Sequence, residues 1–244
     1  MPLTVIYQGG FKNNDNITNV IIPDSVTSIG SYAFNDCDGL ISIKIPDSVT
    51  SIGSYAFCTC DNLEGVVIGE SVTTIGTRAF QSCRKLTSVT FGNSNANIGS
   101  LAFDACNSAL YTEYQFGKYI GDSTNPHAVL IELTNENLST YEIHPNTQVI
   151  AESVFKSCFR LTRITIPDGV RSISDDAFAG CIYLRSLAIP NSVTVIGNGA
   201  VIDCSSLTDV YYTGNEAEWE QITIGEYNFR LTSDNIHYNY IPEE

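Results

Sequence analysis

Basic residues are scarce in this chain. Against 27 Asp and Glu stand only 12 Lys and Arg, which leaves a formal net charge of −15, and charged residues make up just 16% of the 244. That shortage argues against nucleic acid or an anionic membrane as partner, because phosphate binding needs Lys and Arg gathered on one face. Long apolar runs are missing too, and none approaches the roughly 18 residues of a membrane-spanning helix. The N-terminus lacks the basic, apolar, small-residue layout of a secretory leader, so the chain is expected to be intracellular or to have lost a targeting segment. Catalytic signatures are absent as well. There is no H-E-x-x-H, no G-x-S-x-G and no phosphate loop, and His127, His144 and His237 stand apart in the sequence. What the chain does have is 43% hydrophobic and 10% aromatic residues, which excludes disorder, together with eight cysteines.

The cysteines are periodic. Cys37, Cys60, Cys83 and Cys106 recur every 23 residues, and Cys158, Cys181 and Cys204 resume the step. Phe11, Phe34, Phe57, Phe80 and Phe103 keep the same period, as do Phe155 and Phe178, and so do Ile29, Ile52, Ile75, Ile98, Ile150, Ile173 and Ile196. A unit this short cannot bury its own apolar face and must stack on its neighbours, so the pattern predicts a solenoid. In the clearest unit, Leu40, Ile43 and Ile45 take the inward places of a short strand while Ser42 and Lys44 alternate outward. Pro46 ends the strand, and Val49 and Ile52 point inward from a second extended segment. Gly53 marks a turn, and Ala56-Phe57 is expected to begin a tight helical or 3₁₀ turn with its ring in the core.

The pattern L-x-x-[IV]-x-I-P-x-S-V-T-x-I-G-x-x-A-F-x-x-C resembles the BspA-like class of leucine-rich repeat, found in many bacterial cell-surface proteins and some protist ones. It runs from Leu3 to about Tyr212, with Gly69 and Gly92 in place of the proline and Val201 in place of Phe. The resemblance implies a β-rich leucine-rich-repeat solenoid of short parallel strands and short helical or 3₁₀ turns, in about nine coils. It also implies a binding scaffold that is secreted or displayed at a cell surface.

The expected organisation is a single solenoid domain over 1–244. Repeats occupy 1–103 and 141–212, a divergent turn with an insertion lies between at 104–140, and a closing cap covers 213–244. Pro2 to Ile6 aligns with Ser25 to Ile29, so the chain opens in mid-repeat, as a fragment or a mature product of something longer would. At the other end Asn215 with Glu218 forms a capping box, predicting a helix over 215–222 that plugs the last coil with Trp219 and Ile222, followed by a strand over 235–240. The insertion reads as two strands, 111–120 and 128–133, joined by a turn and standing off the solenoid as a hairpin. Its Tyr111, Tyr114, Phe116 and Tyr119 either form an exposed aromatic patch for a partner or pack on neighbouring coils.

Three groups of residues suggest chemistry and have simpler readings. Seven cysteines in register suit small buried core groups better than disulfides or a metal site, since C-x-x-C spacing is absent. Cys58, off the register at a position filled elsewhere by Lys12, Asn35, Gln81 and Asp104, is expected to be exposed. Asp15, Asp38 and Asp61 align in one column and Asp24, Asp47 and Glu70 in another; without a calcium-loop pattern they read as solvated turns. No catalytic residue, cofactor or metal site is assigned. The candidate partner surface is the outward side of the strands, with Lys44, Thr90, Arg163, Thr165 and Tyr211, together with the four insertion aromatics. A protein or glycan ligand and a monomeric chain are expected, with a structural spacer in a larger surface protein as the alternative.

Overall fold

A computed structural model of the chain describes residues 3–92 and 96–241; Pro2 and the last residues of the cap, 242–244, lie outside the described residues. The chain divides into two compact units, one of residues Met1–Thr112 with Ile120–Pro126, the other of Glu113–Tyr119 with His127–Glu244. Each is a β-solenoid whose coils supply one strand apiece to two parallel sheets.

In the first unit one sheet holds the short strands Val5–Ile6, Ser28–Ile29, Ser51–Ile52, Thr74–Ile75 and Asn97–Ile98. The other holds Val20–Ile21, Ser42–Ile45, Gly65–Ile68 and Ser88–Phe91. Pairing runs in the 23-residue register throughout, as in Ile6 with Ile29 and Ile43 with Val66. The second unit repeats the plan. Its short-strand sheet contains Val149–Ile150, Ser172–Ile173, Val195–Ile196 and Thr223–Ile224, and its outward-facing sheet contains Thr140–Glu142, Arg163–Thr165, Ser186–Ile189, Asp209–Tyr212 and Ile236–His237. Counted on the short-strand sheets from Val5 and from Val129, this makes about ten turns, five in each unit; the extra one over the expected nine comes from Thr223–Ile224, inside the cap.

Alternation along the strands is the expected one. Leu40, Ile43 and Ile45 are buried while Ser42 and Lys44 are exposed. The phenylalanines stack ring on ring, with centroids 5.0–5.2 Å apart from Phe11 to Phe103, close to the spacing of paired strands; Phe11 is exposed and Phe34, Phe57, Phe80 and Phe103 are buried. Phe155 and Phe178 repeat this at 4.9 Å in the second unit. Each ring buried in this way contributes on the order of 1.5–3 kcal/mol.

The recurring polar positions are explained by bonds from one coil to the next. Thr27, Thr50 and Thr73 each donate a hydroxyl to the carbonyl of the residue 23 before, at 3.1–3.2 Å. The column glycines let adjacent coils approach: a Cβ on Gly76 would lie 2.5 Å from the backbone nitrogen of Ser54. The acids also bridge coils. The N–H groups of Asp38 and Asp61 donate to the carboxylates of Asp15 and Asp38 (3.3 and 3.0 Å), and Glu70 N–H donates to Asp47 (2.9 Å).

The segment after each column glycine is not helical. Tyr55 and Thr59 have φ of +59° and +58°, and left-handed residues stop a right-handed helix from propagating. The segment is two successive hydrogen-bonded turns, closed by Ala56 N–H on Gly53 and Cys58 N–H on Tyr55 (both 3.2 Å). Its remaining N–H groups reach the next coil, Tyr32, Phe34 and Asp36 donating to Ser54, Ala56 and Cys58 at 2.7–3.0 Å. The expected helical turn gives way to a third hydrogen-bonded column. Left-handed Tyr32 and Tyr55 stack at 4.8 Å, with Lys12 over one ring and Arg78 over the other, which offsets part of their backbone strain.

The cap carries the expected capping box at Asn215 and Glu218, but its helix is only Glu216–Trp219. Trp219 and Ile222 are buried, the indole edge-on to Tyr212 at 5.0 Å. The final strand is Ile236–His237, shorter than the expected 235–240, and a 3₁₀ turn over Ser233–Asn235 precedes it.

Candidate functional site

The insertion does not stand off as a hairpin of two strands. It forms three strands, Thr112–Tyr114, Gly117–Ile120 and Val129–Leu133, and the last pairs in parallel with Val149–Ile150. Lys118 meets Glu132 at 2.8 Å and Thr134 N–H donates to Phe116 O at 2.7 Å, so the second and third strands run antiparallel. A two-residue connection through Gln115, at φ +53°, joins the first two. The meander extends the short-strand sheet of the second unit because its inward side chains complete that core.

The four insertion aromatics therefore part company. Tyr119 is fully buried, its hydroxyl 3.1 Å from that of Tyr141 and accepting from His144 N–H. Gly117 makes room for this cluster, since a Cβ there would run into the Tyr141 hydroxyl. Tyr111 turns into the first unit, where its hydroxyl donates to Phe103 O (2.6 Å) and accepts from Cys106 N–H (3.0 Å); burial pushes its pKa up. Phe116 stays exposed. Tyr114 is half-buried and donates to Glu142 Oε1 at 2.9 Å.

That last bond joins the insertion to the outward sheet of the second unit. Glu142, Arg163 and Thr165 are all exposed there and, with Thr140, Ile143 and Pro167, line a groove of about 410 Å³. Farther along the same sheet, Tyr211 stacks on His237 at 5.0 Å and meets Tyr240 at 4.7 Å with the rings tilted by 36°. His237 Nε2 lies 2.9 Å from Asp209, whose carboxyl is held below its usual range by the Thr208 hydroxyl and then by this imidazole. Arg163 donates to the Tyr240 hydroxyl at 3.4 Å, and Ala188, an outward position by register, is buried. In the first unit Lys44 is exposed, Thr90 is half-buried, and Lys44 with Ser42 and Ile21 lines a groove of about 640 Å³.

Two arrangements lay beyond the sequence reading. His127 and His144, apart in sequence, stack with centroids 3.9 Å apart and planes 5° from parallel, and Tyr114 and Tyr119 both sit edge-on to them. Burial, and then the neighbouring ring, push the pKa of His127 down. His144 Nδ1 accepts from Asn146 N–H, which places the proton of the neutral ring on Nε2. The only sequence signal for this pair was its position at the two ends of the insertion. The second is the thiol column. Cys60, Cys83 and Cys106 each donate to the carbonyl of a core phenylalanine 26 residues earlier at 3.1–3.2 Å, and Cys181 and Cys204 do the same at 3.0 and 3.1 Å.

All eight cysteines are free, and all are buried except Cys106, which is half-buried. Cys58 corrects the sequence reading, for it is only 7% exposed. Its short side chain is flanked by longer ones in the same column, Asn35 before it and Gln81 after it, and Asn35 donates to its carbonyl at 2.9 Å. Burial pushes the Cys60 thiol up to about 12 and also raises Cys58. Among the described residues no group of three or more His, Cys, Asp or Glu side chains is placed to hold a metal ion. No helix among them is long and apolar enough to cross a membrane.

The model of the BspA type leucine-rich repeat region matches residues 3–123 and 133–244, in six copies. No curated protein matches the chain. Among solved structures, a leucine-rich cell-surface protein from Faecalibacterium prausnitzii is 23% identical over 91% of this chain and 86% of its own, with a TM-score of 0.33. The pneumococcal vaccine antigen PcpA is 17% identical over 88% of this chain and 60% of its own, with a TM-score of 0.41. A leucine-rich repeat protein from Eubacterium ventriosum is 21% identical over 81% of this chain and 60% of its own, with the same TM-score of 0.41.

Proposed function

The chain belongs to the BspA-type leucine-rich repeat family, and from that premise we propose that it is a non-enzymatic binding module, displayed at a surface or secreted, which contacts a protein or glycan through the outward sheet of its second unit. The observation that carries this reading is the Tyr114–Glu142 bond. It ties an insertion residue to Glu142, which lines the groove together with Arg163 and Thr165. Carboxylate, guanidinium, hydroxyl and phenol thus converge on one open face, with the Tyr211–His237–Tyr240 cluster farther along it. Flat, polar and aromatic surfaces of this kind suit extended contact better than enclosure of a small substrate.

Catalysis finds no support in the same groove. The stacked histidines do not line it and contact each other and two tyrosines, and Cys37, Cys60, Cys83, Cys106, Cys181 and Cys204 donate to backbone carbonyls. The test is direct binding of the purified chain to glycan arrays and to immobilised matrix and surface proteins. Saturable binding that falls about tenfold or more in an Arg163→Glu, Thr165→Glu variant with unchanged melting is the expected result. Failure to bind any of these would favour a spacer that holds other domains away from a surface.

A further inference from the structure

The residue after the column cysteine does different work in the two units. In the first it is Asp38 and then Asp61, and the N–H of each is satisfied by the carboxylate of the coil before. In the second it is Phe159, Ile182 and Ser205. There the same N–H groups close local bonds instead, on Ser157, Gly180 and Asp203 at 2.7–2.9 Å. The side chain is thereby released from any bridging role, yet at two of the three positions it is large, apolar and exposed. Phe159 is 52% and Ile182 36% exposed; Tyr183, next to Ile182 in the chain, is 58% exposed, and Phe229, in the last coil, 75%. Surface of this kind adds nothing to the stability of the coils, which already bury Cys158, Cys181 and Cys204 beneath it.

The column leads into a groove of about 510 Å³ lined by Val201, Ile202, Asp203, Tyr227, Phe229 and Arg230, in which Tyr227 and Phe229 meet edge to face at 6.3 Å. Guanidinium groups follow the apolar residues in sequence: Arg160 after Phe159, Arg185 two after Tyr183, and Arg230 after Phe229. None of the three is ion-paired with a carboxylate among the described residues; Arg230 donates to Ser205 O at 2.8 Å. Asp203 is the one acid lining the groove. In a chain of net charge −15, exposed Arg160 and Arg185 without a carboxylate partner among the described residues, on the coils that also expose Phe159, Ile182 and Tyr183, match one chemistry, carboxylates carried next to apolar side chains.

We propose that this corner of the second unit, Phe159, Ile182, Tyr183 and Phe229 with Arg160 and Arg185, is a docking site for an acidic, apolar peptide segment of a partner protein. It is separate in residues from the outward sheet groove. The probe is an array of short synthetic peptides that combine Glu or Asp with Leu, Phe or Tyr. Two control arrays replace the acids with Gln and Asn, or with Lys.

Binding of the full chain to acidic members, weakening as salt is raised, is expected. A Phe159→Asn, Tyr183→Asn, Phe229→Ser variant, with melting unchanged because all three side chains are more than half exposed, should lose about tenfold or more in affinity. Arg160→Gln with Arg185→Gln should lose affinity and flatten the salt dependence. The Arg163→Glu, Thr165→Glu variant should bind as the parent does. Equal binding by the Gln and Asn array, or unchanged affinity in the apolar variant, would overturn the proposal. So would concentration-dependent self-association in sedimentation that the apolar variant abolishes, since the occupant would then be a second copy of this chain.

Discussion

A thiol in this chain is a hydrogen-bond donor before it is a nucleophile. Cys60 is fully buried and gives its proton to Phe34 O at 3.1 Å. Cys60→Ala removes the donor and leaves a small void, a loss of about 1–2 kcal/mol in denaturant unfolding. The pH dependence follows from the same burial. An unfolded thiol ionises near 9, whereas burial holds the folded one up to about 12, so above pH 9 the unfolded state sheds the proton first. The contribution of Cys60 is therefore complete below pH 9 and is lost as pH rises towards 12, which melting temperatures across that range would show as a progressive fall. Native thiol labelling at pH 8 should be slow at all the buried positions, Cys58 included, and all eight should react once the chain is unfolded.

At the scale of the coil, the sequence legible as a period was legible as a fold wherever one residue type served one contact. Phe, Ile, Thr and the column glycine each recur because the neighbouring coil demands a ring, an inward methyl, a hydroxyl or the absence of a Cβ. Gly76→Ala would drive a methyl against the Ser54 backbone, and an overpacking loss of about 1–3 kcal/mol is expected by thermal or chemical denaturation. The turn after that glycine was misread because A-F-x-x-C has helical spacing. Left-handed conformations at residues such as Tyr55 and Thr59 are fixed by bonds to the next coil, which no local propensity records. The insertion was half legible for a similar reason. Alternation revealed strands, but not that Val129 would find Val149 and draw the meander into a sheet. The candidate surface was read as separate aromatic and outward columns; only pairing across 28 residues puts Tyr114 on Glu142.

Over the molecule as a whole, stability is shared between neighbours rather than concentrated in one core, since most contacts join a coil to the next. Phe57→Ala and Phe178→Ala, which each interrupt a ring stack, should cost about 3–5 kcal/mol apiece. Hydrogen exchange should rise in the coils adjoining the altered ring and much less in the other unit, the signature of nearest-neighbour coupling. The same coupling bears on how such a chain changes over generations. Each bridge in the repeat, whether Thr50 to Thr27, Asp61 to Asp38 or Cys60 to Phe34, joins one fixed position of a coil to another fixed position of its neighbour. Duplication or excision of one whole unit within a run of regular coils regenerates each bond with a new partner of the same kind, while a slip of a single residue breaks all of them at once. Copy number is thus free to drift by recombination, and the departures from the period, the meander and the Phe159 corner, mark where that freedom has been given up.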